Sequence, residues 1–212
     1  MKLLTPGTLG VIIDVETGGF SRSKNALIEV AAVVVDHNYV VVSYFHTYIR
    51  PEPGTTVEPG AAAVNGYTPQ RWGDFGDGDP SDEDLEEVVH PLVSLAEANE
   101  QLHEWASAFS GLRAIAHNKG FDKAWVNDKL PMLGRLLTHG WYDTQTAYRR
   151  WRKQTPGYVT QKGDATLGAI CDYLRYEATT GERWVRHTAL DDCYATRFVA
   201  WVMDDAGFLG NA

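Results

Sequence analysis

Three runs near the start of the chain carry the pattern of strands. Residues 9–15 are aliphatic but for Gly10 and Asp14, and the run ends in the charged pair Asp14 and Glu16. Residues 26–36 and 39–49 are rich in Val, Ile and Tyr, the side chains that suit extended, half-buried backbone. Only His37-Asn38 separates the second run from the third, so the two are predicted to pair as an antiparallel meander. A Pro/Gly-rich passage over 50–60 leads to a short Ala-rich helical turn. Further on, Ser81 with Glu83 and Asp84 predicts a helix start, and Pro91 a break. Leu92, Leu95, Leu102, Trp105 and Phe109 then recur at helical spacing. The remaining pattern predicts a strand at 113–116, a helix at 121–130 stopped by Pro131, and a strand ending at Asp143. Helices at 144–153, 166–175 and 188–204 complete it. Strands first, then alternating helices and strands, predict an α/β architecture with a mixed sheet and helices on both faces.

Composition narrows this picture. The 212 residues, 44% of them hydrophobic, suit a single domain over residues 1–212 with a full core at about 9–203. The longest aliphatic runs are too short to cross a bilayer. Thr5-Pro6-Gly7 and Asp14 interrupt any apolar leader, so a cytoplasmic location is expected. Cys171 and Cys193 are expected to be buried small residues, with neither a disulfide nor a zinc spacing between them. The net charge of −9 opposes tight non-specific binding to duplex DNA. However, eight acids and no base lie between Asp74 and Glu87, and without those eight the charge is −1. This stretch, about 73–90, is expected to be a solvated acidic insert.

The candidate chemistry lies in three segments. Asp14 and Glu16 are two apart on a strand and so share a face, at the strand end where open α/β sheets place ligands. Adjacent carboxylates repel unless a cation lies between them, and an oxygen-only set suits Mg²⁺ or Mn²⁺. The second segment is His117-Asn118-Lys119-Gly120-Phe121-Asp122, at a strand-to-helix junction. The third is His187-Thr188-Ala189-Leu190-Asp191-Asp192, at the start of the last helix. Taken singly, each also reads as something plainer: two solvated acids, a helix-capping acid, an ordinary helical acid.

Taken together and in order, the three segments resemble the exonuclease motifs of the DEDD superfamily, in its histidine-containing, DnaQ-like and RNase T-like branch. Asp14-Val15-Glu16-Thr17 is similar to the first motif, His117-Asn118 with Phe121-Asp122 to the second, and His187, Ala189, Leu190 and Asp192 to the third. Weaker similarities lie at 63–68 (with Asn65 where the family usually has histidine), at Asp143-Thr144 and at 166–171. The resemblance implies an RNase H-like fold with a five-stranded mixed sheet, three antiparallel strands and then two parallel, flanked by helices. It implies a 3′→5′ exonuclease that hydrolyses single-stranded nucleic acid, DNA favoured over RNA, to nucleoside 5′-monophosphates. Two divalent cations, Mg²⁺ or Mn²⁺, about 4 Å apart would be held by Asp14, Glu16, Asp122 and Asp192. Asp14 would serve both, Glu16 and Asp192 would complete one site, and Asp122 would support the other. His187 would be the general base, a role to which an imidazole's ordinary pKa of about 6.5 is suited. Thr17, Phe20, Asn118 and Phe121 are the expected contacts to the 3′ end of single-stranded DNA or RNA. The resemblance leaves open a polymerase or repair partner, and the sequence does not report the oligomeric state. The competing readings are a binding module that kept the fold, which five intact motif positions oppose, and an endonuclease of the wider RNase H-like class.

One segment offers a grip on an anionic strand. Residues 144–163 contain no acid, and Arg149, Arg150, Arg152, Lys153 and Lys162 alternate with Tyr148, Trp151 and Tyr158. Basic groups can pair with phosphates while rings stack on unpaired bases. A solvated helix packed through Trp151 would show the same pattern.

Overall fold

The computed structural model describes residues 2–72 and 92–211. Its sheet is built from β1 (Gly10–Thr17), β2 (Leu27–Val35), β3 (Val41–Ile49), β4 (Leu92–Val93), β5 (Arg113–Ala116) and β6 (Trp141–Asp143). The spatial order is β4-β3-β2-β1-β5-β6. β1 to β3 form the expected antiparallel meander, and β5 and β6 add in parallel on the other side of β1. Among the described residues the sheet therefore has six strands where five were expected. The additional strand is the two-residue β4, which pairs in parallel with the end of β3. Leu92, expected on the following helix, belongs to it; Ser94 then caps α2 (Leu95–Ser107) through a reciprocal box with Glu97. The acidic insert and the helix start expected at Ser81 lie outside the described residues.

The other helices are α1 (Pro59–Asn65), α3 (Lys119–Lys129), α4 (Pro131–Leu136), α5 (Thr144–Arg152), α6 (Leu167–Leu174), α7 (Tyr176–Thr180) and α8 (Ala189–Asp205). Pro131 ends α3 as expected but also opens α4, because the first helical turn needs no N–H from that residue. The alternation of β1 sorts its side chains between two cores. Val11, Ile13 and Val15 pack with α2, α3 and α4 through Leu102, Trp125, Val126 and Leu133. Ile12 packs on the opposite face with Cys193, Phe198 and Val199 of α8. The next two residues on that face are Asp14 and Glu16. Here the apolar row under α8 gives way to carboxylates at the C-terminal end of the strand. Every position of β2 is buried, as befits a strand with neighbours on both edges and helices on both faces. Cys171 and Cys193 are both free and buried. No helix among the described residues is long and apolar enough to cross a membrane.

Candidate active site

Asp14 and Glu16 are placed by the β1–β2 ladder, where Asp14 lies opposite Ala31 and Glu16 opposite Glu29. Asp122 comes from the first turns of α3. The parallel pairing of β1 with β5 reaches only to Ile12, and Asp122 accepts the Val15 backbone N–H beyond it. Asp192 comes from the first turn of α8. One donor atom each from Glu16, His187 and Asp192 lies within 4.8 Å of the others. The first and third motifs thus meet at one end of the sheet, and Asp122 and Asp14 act on the same group of charges.

The electrostatics of this group are unfavourable as it stands. Burial, then Asp122, Asp192, Glu16 and Glu29, hold the Asp14 carboxyl well above the usual carboxylate range. Burial, then Glu29, Asp192 and Asp122, raise Glu16 to about 8. Burial raises Asp192 to about 6, opposed by hydrogen bonds from the Trp184 indole and the His187 backbone N–H. Asp122 is raised well above its ordinary value by burial, with Asp143 and Asp192 adding to it. None of the leading contributions comes from a lysine or arginine. Carboxylates in such a place keep their protons or take up cations.

His187 is exposed and has a φ of 64°, a left-handed backbone that costs a non-glycine residue on the order of 1 kcal/mol. The chain must turn there to enter α8. The Thr188 side chain does not cap that helix, since its hydroxyl donates to Asp191 at 2.7 Å. Asp191 is thus occupied locally, while Asp192 faces the cluster.

Three comparisons bear on this constellation. The family model RNase_T, described as exonuclease, matches residues 11–80, a span that holds all of β1 but Gly10, with β2, β3 and the first motif. Ribonuclease T of Shewanella frigidimarina (strain NCIMB 400) is 31% identical over 134 residues, which are 60% of this chain and 55% of that protein. Ribonuclease T of Vibrio parahaemolyticus serotype O3:K6 is 30% identical over 129 residues, 57% and 54% of the two chains. Over these segments the chain is similar to the exonuclease family and to ribonuclease T. It spans about half the length of the curated relatives it matches. Among solved structures, the chain is similar to the zinc-ion-bound E. coli ExoI–ssDNA complex, with a TM-score of 0.70 and 17% identity over 93% of this chain and 41% of that one. It is also similar to Exonuclease I of Methylocaldum szegediense, with a TM-score of 0.68 and 20% identity over 96% and 42% of the two chains. At these identities the likeness establishes the fold.

The remaining expected residues fall into two places. A cavity of about 410 Å³ opens beside Glu16, lined by Thr17, Phe20, Val64, Asn65 and Phe121 among others. Phe20 is 88% exposed and meets Phe121 edge-on at 6.2 Å. Asn65 donates to the Thr17 carbonyl at 3.1 Å and hydrogen-bonds Glu16. Gly18 turns the chain here, and a Cβ on it would lie 2.4 Å from the Thr56 carbonyl oxygen, so no larger residue fits. Asn118 is exposed and starts α3 from a left-handed conformation, which asparagine tolerates.

The basic segment divides. Arg149 and Arg150 are exposed on α5. Arg152 is turned onto two aromatic rings. Its guanidinium lies over Tyr158 at 4.5 Å and Tyr173 at 4.1 Å, so it belongs to an aromatic clamp. Trp151 packs on the core side. His117, part of the second motif, is a structural tie. Its Nε2 donates to the Ala165 carbonyl at 3.0 Å and its Nδ1 accepts from the Thr144 hydroxyl at 2.9 Å. Burial pushes its pKa down to about 4, consistent with that neutral form.

Sequence reasoning missed Glu29. It is the lone acid in the otherwise apolar strand Leu27–Val35, and that isolation was its available signal. It is 2% exposed, and its Oε1 accepts from His46 Nε2 at 2.8 Å and from the Ala189 backbone N–H at 2.9 Å. A side chain on the sheet therefore supplies the first-turn acceptor of α8 that Thr188 does not.

Proposed function

We propose that this chain is a 3′→5′ exonuclease acting on single-stranded nucleic acid and releasing nucleoside 5′-monophosphates. One observation carries the reading: carboxylates from β1, α3 and α8, with a histidine beside them, converge at one end of the sheet without a compensating basic side chain among their strongest electrostatic neighbours. This donor set fits hard divalent cations such as Mg²⁺ or Mn²⁺. Asp14 would serve two such ions, Glu16 and Asp192 would complete one site, and Asp122 would support the other. Bound there, they would neutralise charge developing on the attacking and leaving oxygens.

The protein groups account for the rest of the reaction. The cavity between Phe20 and Phe121 receives the terminal base, since exposed rings stack on unpaired bases of any identity. Asn65 fixes the Thr17 loop and the Glu16 side chain at the floor of that cavity. His187 takes a proton from the attacking water, a general-base contribution of about 10² to 10⁴-fold. The water oxygen bonds to phosphorus as the bond from phosphorus to the penultimate 3′ oxygen breaks, which frees a 5′-monophosphate. The 4.8 Å cluster also favours a second reading, in which His187 is itself a ligand. The two separate on His187→Ala, because loss of a base spares Mn²⁺ binding and loss of a ligand does not.

The test is digestion of 5′-labelled single-stranded DNA and RNA of matched sequence with Mg²⁺ or Mn²⁺. Stepwise shortening from the 3′ end with mononucleotide release is expected. Internal cutting, or efficient digestion of a circular single strand, would replace this reading with an endonuclease. Binding without cleavage would leave a non-catalytic module.

A further inference from the structure

The loop at 181–188 carries one contact that no motif describes. The indole N–H of Trp184 donates to Asp192 Oδ1 at 2.8 Å. Trp184 is half-buried and packs against the core that lies under α8. Its ring meets Tyr176 edge-on at 6.1 Å, and its backbone N–H donates to Glu177 Oε1 at 3.2 Å. Arg186 covers the ring at 5.0 Å and is itself held to both oxygens of Asp172, at 2.8 and 3.0 Å. The indole is therefore fixed from α6, α7 and its own loop before it reaches Asp192.

We infer that Trp184 is a positioning residue, which holds one oxygen of Asp192 so that the other faces the cation site. The inference rests on the reading of Asp192 as a metal ligand. The physical reason is rotational. A carboxylate with one oxygen anchored by a rigid donor presents its second oxygen in a fixed direction, whereas a free one samples several. The same loop carries His187 three residues on, so the bond also ties the base to the ligand it must work beside. An indole is suited to this role, because it can only donate and cannot itself compete for a cation.

The experiment compares wild type, Trp184→Phe and Trp184→Ala. Phenylalanine keeps a ring against Tyr176 and lacks the N–H. Mn²⁺ binding is measured directly by electron paramagnetic resonance, and cleavage of single-stranded DNA is followed against Mn²⁺ concentration. Weakened Mn²⁺ binding in Trp184→Phe, by about 10- to 100-fold as for other outer-shell donors to ligands, is expected, with a matching rise in the Mn²⁺ needed for half-maximal rate. The KM for the oligonucleotide should change little, and melting of the metal-free variant should stay near wild type. A Trp184→Phe protein that binds Mn²⁺ as wild type does would overturn the inference, whatever Trp184→Ala does to folding. If wild type binds Mn²⁺ but cleaves no oligonucleotide, the exonuclease reading fails, and the binding comparison still decides the role of Trp184.

Discussion

The acids on the sheet side of the site and the histidine on the loop side are held in different ways. Asp14 and Glu16 sit on a strand laddered to β2 along its length and to β5 as far as Ile12, and Asp122 on a helix anchored by Trp125 and Val126. Their positions follow from the ladder and the core, so the carboxylates themselves contribute little to holding the fold. Their crowding opposes it. His187 is exposed, with a strained backbone, and its loop is placed by a few specific bonds around the first turn of α8, those of Glu29, Asp191 and Trp184. On the sheet, function is imposed on a stable frame at a cost in repulsion. On the loop, the frame itself depends on polar contacts. Substitutions should therefore behave oppositely on the two sides.

The largest effect is expected from the acids. Asp14→Ala and Asp192→Ala should each reduce turnover below detection, because on the proposed reading they remove cation ligands that support several kcal/mol of transition-state stabilisation. The metal-free Asp14→Ala protein should melt no lower than wild type at pH 8, since the substitution removes a repelled charge, whereas Asp192→Ala also leaves the Trp184 indole and the His187 N–H without their acceptor and should melt lower. Folded, purified variants with near-wild-type cleavage would break the assignment. Next comes His187→Ala, expected to slow cleavage by about 10² to 10⁴-fold with Mn²⁺ binding retained and the acid limb of the pH–rate profile altered. By contrast, Glu29→Ala should cost stability as well as activity, because it leaves the Ala189 N–H buried without its acceptor, an omission worth about 1–3 kcal/mol. Thermal melting of the purified variant measures it.

Titration sharpens the same comparison. A carboxyl whose folded pKa lies above its unfolded value keeps a proton that the unfolded chain releases. The stability it lends is complete below the ordinary value of about 4. That stability is lost as pH rises through the folded values, about 6 for Asp192 and about 8 for Glu16. The metal-free protein should thus lose stability between pH 5 and pH 8, roughly across that window. Added Mg²⁺ should raise the melting temperature more at pH 8 than at pH 5, because at the lower pH it must displace protons. An equal Mg²⁺ shift at both pH values would show that these acids do not take up the ion.

Most of the sheet side was legible in the chain itself. The period-two row Ile12, Asp14, Glu16 and the Val-rich strands report both face and burial, because ladders and cores act through local pattern. The loop side was less legible. Glu29 stood out as one acid in nine strand residues, yet its partner Ala189 is 160 residues away, and no local period encodes such a pairing. Trp184 is one of seven tryptophans, and only the fold shows that its N–H meets Asp192. The sixth strand was missed because two residues are too few to establish alternation. Arg152 was read with its neighbours because a charge run does not say which member turns inward.

The smallest effect concerns α5, and it repeats the comparison within a single turn. Arg149 is exposed on α5, while Arg152 lies between Tyr158 and Tyr173. If α5 borders the path of the strand, Arg149→Ala should weaken single-strand binding and flatten the dependence of log K on log salt by about 0.7 for each phosphate left without its cation. Arg152→Ala should leave that slope nearly unchanged. It should instead lower the melting temperature, because a guanidinium stacked on two rings contributes about 0.5–1 kcal/mol per ring at partly exposed sites. Fluorescence anisotropy on a labelled oligonucleotide across a salt series separates the two variants, with Ca²⁺ in place of Mg²⁺ to slow cleavage. Should both arginines change the slope equally, the aromatic clamp must open when the strand binds. Should neither change it, the anionic backbone passes elsewhere, and α5 serves only to cover the sheet.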